Sequence, residues 1–292
     1  MLILLRWLSR WPLWLLHALG APLGWLTYTF SPTYRRRFKA NVAQAGVAPQ
    51  VARAAIAEGG RLLTELPYLW LRPLSQSILP RVGIENAGLV EAAFARGRGI
   101  VFLTPHMGCF EVTAQAYAER FAPTQGPVTV LYRPARKPWL RSLVKTSRTR
   151  PGLGAAPATL GGVRQMIRAL RRGEAVGLLP DQVPPEGMGV WAPFFGRPAY
   201  TMTLAARLVQ QTGATLVLAW GERLPQGRGY TVHFSSFDDT LGESAASDSA
   251  QAESAAAINR AMERLILQHP QQYLWGYDRY KTPRRGATPE ED

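Results

Sequence analysis

Gly99-Ile-Val-Phe-Leu-Thr-Pro-His-Met-Gly-Cys-Phe-Glu111 is the stretch on which the fold class of this chain turns. Ile100 to Leu103 is an unbroken apolar run, as expected of a strand buried on both faces, and Pro105 ends it. A helix-like stretch, Val112 to Arg120, follows. Were the whole segment helical, His106 and Glu111 would sit about 140° apart around the axis. Pro105 and Gly108 argue against that and place His106 in a strand-to-helix turn, with Glu111 in the first helical turns. From there the carboxylate can fold back onto one imidazole nitrogen while the other faces a substrate hydroxyl. Such a base and its orienter need neither serine nor cysteine, and suit a hydroxyl that attacks an acyl thioester. On spacing alone, a structural histidine held by a helix-start glutamate fits equally well.

Outward from this stretch the chain alternates strands and helices. Short apolar runs at Val128–Tyr132, Ala175–Leu179 and Leu216–Trp220 read as buried strands, and Tyr230, Val232 and Phe234 alternate as a half-buried one. Leu160, Val163, Ile167 and Leu170 predict an amphipathic helix with Arg164, Arg168, Arg171 and Arg172 pointing away and Gly173 as its stop. Helical spacing also covers Val51 to Leu71, with Pro67 and Pro73 expected to break its end, and Ile258, Met262, Leu265 and Ile266. The expected class is α/β: a single mixed-sheet domain flanked by helices.

Charge and the N-terminus narrow the partners. The 292 residues carry 34 Lys and Arg against 20 Asp and Glu, a net charge of +14. Such a chain needs an anionic partner: nucleic acid, anionic lipid or an acidic carrier protein. Trp11 to Phe30 has no formal charge and is long enough to cross a bilayer core, with Arg6 and Arg10 before it and Tyr34-Arg-Arg-Arg-Phe-Lys39 after it. A cleaved signal peptide is rejected, because a mature chain starting on that basic cluster would resist export. A spanning or an interfacial helix remains, interrupted by Pro12 and Pro22, so the expectation includes an N-terminal hydrophobic membrane helix. The expected division is a membrane anchor over 1–34, a catalytic domain over 35–285 and a polar tail over 286–292. The single cysteine, Cys109, excludes an internal disulfide and reads as a small buried side chain. No P-loop or dinucleotide fingerprint appears and zinc would lack a fourth ligand, so neither cofactor nor metal is expected, and no nucleic-acid signature is present.

His-x4-Glu after an apolar strand resembles the His-x4-Asp/Glu motif of the glycerolipid-type acyltransferase superfamily. The whole chain is similar to one branch of it, the lipid A secondary (lauroyl/myristoyl) acyltransferases of Gram-negative bacteria. Further strings carry that likeness in order: a basic stretch with Asn41, Leu131-Tyr-Arg-Pro-Ala-Arg-Lys-Pro138, Ser147-Arg-Thr-Arg-Pro-Gly152, Leu179-Pro-Asp-Gln182, Ala192-Pro-Phe-Phe-Gly196 and Pro270 to Lys281. The resemblance implies transfer of a fatty acyl group from acyl carrier protein or acyl-coenzyme A to a hydroxyl of a membrane glycolipid, at the cytoplasmic face of the bacterial inner membrane. It implies His106 and Glu111 as the catalytic pair and Arg133, Arg148, Arg150 and Asp181 as substrate-binding residues, with Asp181 pairing to an arginine. Arg136, Lys137, Arg141 and Lys145 read better as general basic surface. Backbone N–H groups near Gly108, or an arginine, are expected to hold the oxyanion.

One departure stands out. The branch usually ends Trp-x-His-Arg-Arg-Phe-Lys, whereas here Trp275 is followed by Gly-Tyr277-Asp278-Arg279-Tyr280-Lys281. This leaves open which acceptor the C-terminal segment touches. The competing readings are the same chemistry on another membrane lipid (glycerophospholipid, ornithine lipid or aryl-polyene lipid) and a membrane-anchored basic scaffold without catalysis.

Overall fold

The computed structural model describes residues 2–133, 150–242 and 247–284. Its centre is a seven-stranded mixed sheet in the order β1-β9-β8-β2-β5-β3-β4. The strands are β1 Val82–Glu85, β2 Ile100–Leu103, β3 Val128–Tyr132, β4 Leu153–Pro157, β5 Ala175–Leu178, β8 Thr215–Arg223 and β9 Tyr230–Ser236, with a separate antiparallel hairpin of β6 Gly189–Phe194 and β7 Arg197–Met202. All neighbours in the large sheet are parallel except β8 and β9. All four residues of β2 are buried, as its apolar run requires of a strand covered on both faces.

Ten helices among the described residues cover the sheet and its ends: α1 Leu2–Leu8, α2 Leu13–Phe30, α3 Pro32–Gln44, α4 Pro49–Leu71, α5 Ala87–Ala95, α6 Phe110–Arg120, the single turn α7 Ala122–Gln125, α8 Leu160–Arg171, α9 Leu204–Thr212 and α10 Asp248–Gln268. The core lies in two layers. Val101, Leu103, Met166, Leu178 and Ile258 mark one, and Ile100, Phe102, Val112, Phe121 and Phe234 the other. Successive β2 residues thus feed opposite layers, as a strand's period of two dictates. Helix α8 starts on Thr159, whose hydroxyl accepts the Gly162 N–H, and ends before Gly173 at φ +78°.

Several expectations need correction. Two edge strands escaped the sequence reading, β1 and β4. The run Leu153-Gly-Ala-Ala-Pro has little of the β-branched bulk that marks a strand, and its place at an edge is set by pairing with β3. The string Ala192 to Gly196 forms part of β6 and its turn. Phe195 and Gly196 both have positive φ, 47° and 72°, the signature of a two-residue type I′ hairpin. Glu263 accepts the Phe195 N–H at 2.7 Å and helps hold this unusual backbone. Pro67 does not end α4, which runs on to Leu71. The last carbonyls of that helix are taken by side chains from elsewhere: Gln115 and Arg150 both donate to Leu69 O, and Arg150 also to Arg72 O.

The spanning helix is the largest correction. No helix among the described residues is long and apolar enough to cross a membrane. The uncharged stretch after Trp11 instead forms α2, which lies along α4. Gly20 and Gly24 meet Gly60 so closely that a Cβ on Gly24 would lie 2.1 Å from Ile56 O, and one on Gly60 2.0 Å from Gly20 O. Leu13 and Leu16 enter the core and His17 is buried against Glu65. On the side of Leu13, Leu16, His17, Gly20 and Gly24 the freedom of α2 from charge reflects packing on protein.

Candidate active site

The sheet register brings the site together. Leu103 at the end of β2 pairs with Leu178 at the end of β5, and Thr104 N–H extends the ladder to Leu178 O at 3.0 Å. Both strands are parallel, so both chains leave the sheet at the same carboxyl edge, where α/β proteins gather their ligands. His106 and Asp181 lie at equal offsets beyond those paired residues and meet there. Asp181 Oδ2 accepts the His106 backbone N–H at 2.9 Å, and Oδ1 lies 2.7 Å from His106 Nδ1. The side chains are 18% and 1% exposed, so the acid is sealed while one side of the imidazole stays accessible.

This geometry fixes roles. Burial alone would raise the Asp181 pKa, but the His106 charge and hydrogen bonds, with help from Arg279, outweigh it and hold the carboxyl below its ordinary value. A carboxylate there accepts a hydrogen bond from Nδ1–H, which leaves Nε2 as the acceptor nitrogen of the ring. The spacing led to Glu111 as the orienter of the imidazole; the structure gives Nδ1 to Asp181. Glu111 does lie in the first turn of α6 as expected, 8% exposed, in the wall of the same cavity as His106. Asp181 was expected to pair with an arginine, and its direct partner is His106.

That cavity measures 460 Å³ and is walled mostly by apolar side chains, with Trp70, Phe110, Leu160 and Met202 among them. Leu160, assigned by its spacing to the buried face of α8, is 74% exposed and faces this space. A second, smaller apolar cavity of 60 Å³ lies between α6 and the sheet, lined by Phe102, Tyr117, Leu153 and Phe234. The two share Phe110, Glu111, Leu131 and Leu179 as walls.

The arginines divide. Arg133, directly after β3, is exposed and lines the large cavity. Arg150 lines neither cavity: its guanidinium closes the end of α4, and burial lowers its pKa first of all. Arg148, Arg136, Lys137, Arg141 and Lys145 lie outside the described residues. The Gly108 N–H, expected to face an oxyanion, donates to Gln272 O at 2.9 Å, and Cys109 N–H to Gly221 O at 2.7 Å. Cys109 itself is fully buried, and burial pushes its thiol well up, against a nucleophilic role.

Beneath the turn that carries His106 lies a charged cluster that no motif in the sequence marked. Arg223 at the end of β8 donates through Nη2 to Gly108 O at 3.0 Å and pairs with Glu65 on both carboxylate oxygens. Glu65 Oε2 also meets His17 Nε2 at 2.9 Å and the Tyr230 hydroxyl at 3.1 Å, and Glu58 receives Arg223 Nη1 at 2.6 Å. Gln272 brackets Arg223, accepting its N–H and donating to its carbonyl, both at 2.9 Å. No motif marked these residues, since their partners are as many as 165 positions away.

Comparison with known proteins gives the family of the chain. The model of the family described as bacterial lipid A biosynthesis acyltransferase matches residues 1–282. The chain is 29% identical over 208 residues to the lipid A biosynthesis lauroyltransferase of Escherichia coli, covering 70% of this chain and 63% of that protein. It is 24% identical over 206 residues to a lipid A biosynthesis acyltransferase of Haemophilus influenzae, covering 70% and 60%. With the lipid A biosynthesis palmitoleoyltransferase of Escherichia coli it shares 26% over 226 residues, covering 76% and 69%. The matched region thus spans less than two thirds of the first two relatives. With its family model matched over almost its whole length, the chain belongs to the bacterial lipid A biosynthesis acyltransferases.

Proposed function

We propose that this protein transfers a fatty acyl group from an acyl thioester to a hydroxyl of a lipid A-type glycolipid, with His106 as the general base. The observation that carries this reading is the His106–Asp181 pair, with His106 in the wall of a mostly apolar 460 Å³ cavity. Nε2 takes the proton of the acceptor hydroxyl as the oxygen attacks the thioester carbonyl. Asp181 holds the ring and stabilises the imidazolium, and Glu111 adds a second negative charge in the cavity wall. Collapse of the tetrahedral intermediate expels the thiolate, which recovers the proton from His106 Nε2. The apolar walls suit the acyl chain, and exposed Arg133 suits a phosphate of the glycolipid or of the donor's phosphopantetheine arm. Acyl carrier protein is the donor favoured, since its acidic surface complements a chain of net charge +14. The test is transfer from a dodecanoyl thioester of carrier protein or coenzyme A to an underacylated lipid A disaccharide, read by mass spectrometry. The product gains one acyl group with the wild type. No gain with either donor, while the same mixture is acylated by an active relative, removes the reading.

The same proposal places the enzyme at an anionic membrane surface, in keeping with relatives named for lipid A biosynthesis. Helices α1 and α2 expose Ile3, Leu4, Trp7, Trp14, Trp25, Leu26 and Phe30, the last 77% exposed. Basic residues flank them, with Arg6, Arg10, Arg36 and Lys39 exposed. Aromatic and aliphatic side chains beside arginines fit an interfacial helix lying in the headgroup region rather than across it. Wild-type protein is expected to sediment with vesicles of phosphatidylglycerol, and the pair Trp7→Ser and Trp25→Ser to weaken this about tenfold or more. Unchanged sedimentation of that double variant would move the lipid contact elsewhere.

A further inference from the structure

The proposed reaction leaves the C-terminal segment Gln272–Arg279 without a task, although it holds the sequence departure noted above. No residue of it lines the 460 Å³ cavity. It runs instead along the turn that carries His106. Gln272 O accepts the Gly108 N–H at 2.9 Å, Met107 and Tyr273 form an antiparallel bridge, and Leu274 N–H donates to His106 O at 3.1 Å.

The same segment holds the loop that carries the other partner. The Tyr277 hydroxyl accepts the Val183 N–H at 3.0 Å, two residues beyond Asp181. Tyr273 lies beside Asp181: its hydroxyl is pushed well up by burial first and by the Asp181 charge second. Arg279, 2% exposed, donates to Tyr200 O and to the Thr201 hydroxyl, each at 2.7 Å, and its charge falls on Tyr273 and Asp181. The groups around Asp181 are therefore His106 from the turn after β2, and Tyr273 and Arg279 from this segment. The segment is itself anchored, because Asn41 Nδ2 of α3 donates to Trp275 O at 2.7 Å and Tyr277 O at 2.6 Å.

We propose that Gln272–Arg279 is a positioning strap for the His106–Asp181 pair, and that the Tyr277 hydroxyl sets the Asp181 loop against the imidazole. The proposal rests on the reading of His106 as base. It assigns the segment to the catalytic pair rather than to the acceptor lipid. A carboxylate that drifts by a fraction of an ångström no longer fixes the ring, and such misplacement is costly in rate.

The experiment is a double-mutant cycle on acyl transfer with Tyr277→Phe, Asp181→Asn and both together, using the dodecanoyl thioester and the lipid A disaccharide above. Tyr280→Phe serves as control, since it removes one hydrogen bond just beyond that segment, to Phe194 O at 2.9 Å. Tyr277→Phe is expected to lower kcat about tenfold with KM unchanged. In the Asp181→Asn background the same change should cost less than about twofold, because the residue acts through Asp181. Tyr280→Phe should leave kcat as it is. A second readout is the imidazole 15N spectrum of His106, which should show the Nδ1–H tautomer in the wild type and a tautomer mixture in Tyr277→Phe. Equal losses in both backgrounds, or a wild-type spectrum in Tyr277→Phe, overturn the strap. Full activity of His106→Ala removes the base reading and the strap with it. Loss in His106→Ala with a silent Tyr277→Phe removes the strap alone.

Discussion

Purified His106→Ala is expected to turn over about two to four orders of magnitude more slowly than the wild type, the scale of lost general-base catalysis. Asp181→Asn should fall near the upper end of that range. An asparagine amide offers Nδ1 a donor or a neutral acceptor where the structure supplies a carboxylate 2.7 Å away, so the ring loses its enforced tautomer. Glu111→Ala should lose more than Glu111→Gln, since the amide keeps the shape of the cavity wall while removing its charge. Cys109→Ser should retain most activity, because the buried thiol is held protonated and offers no nucleophile. Single-turnover kinetics on folded protein provide the measure, with thermal melts as the control for folding. Near-wild-type turnover of His106→Ala would sink the mechanism, and complete loss in a folded Cys109→Ser would revive a thiol route.

The second large effect concerns stability. Burial would raise the Glu65 pKa, but the charge and hydrogen bonds of Arg223, then those of His17, prevail and hold it at about 2. Its ordinary value is 4.5, so the folded state binds this proton less readily than the unfolded chain. The stabilisation is therefore complete above about pH 4.5 and is lost as pH falls through about 2. Glu65→Gln leaves the Arg223 guanidinium, on a residue only 3% exposed, with Glu58 as its remaining acid, and should cost roughly 3–5 kcal/mol at neutral pH. Denaturant unfolding at pH 7 and a series of melts between pH 5 and 2 check both statements. The wild-type curve should fall more steeply over the acid series than that of Glu65→Gln; parallel curves would show that this carboxylate is not the titrating group. Since Arg223 also holds Gly108 O, the variant that survives folding should lose turnover as well.

Some of this was legible in the residues. The apolar run Ile100–Leu103, closed by Pro105, is β2, and Glu111 does stand in the first turn of α6, because strand, stop and helix start are local choices. Leu216–Trp220 and Tyr230–Phe234 lie within β8 and β9, and Ile258, Met262, Leu265 and Ile266 are all buried in α10. The arginines of α8 point away from its buried face, as the spacing required. The C-terminal string was noticed as a departure, yet nothing in its letters said that Tyr277 would meet Val183 N–H.

What the sequence by itself determined, then, was the chemistry of short stretches: a histidine in a strand-to-helix turn, an acid five residues on, a basic chain with an apolar, uncharged run from Trp11 to Phe30. The tertiary structure alone decided which acid holds the imidazole. Asp181 is 75 positions from His106, and only the pairing of β2 with β5 in parallel register carries both to one edge of the sheet. The same holds for α2, whose freedom from charge is equally compatible with lipid and with protein as its surroundings. Its close glycine contacts with α4 and the burial of His17 on Glu65 settled that one side faces protein. A local pattern records what a residue prefers to touch, while the partner itself is chosen by the order of strands and the approach of helices.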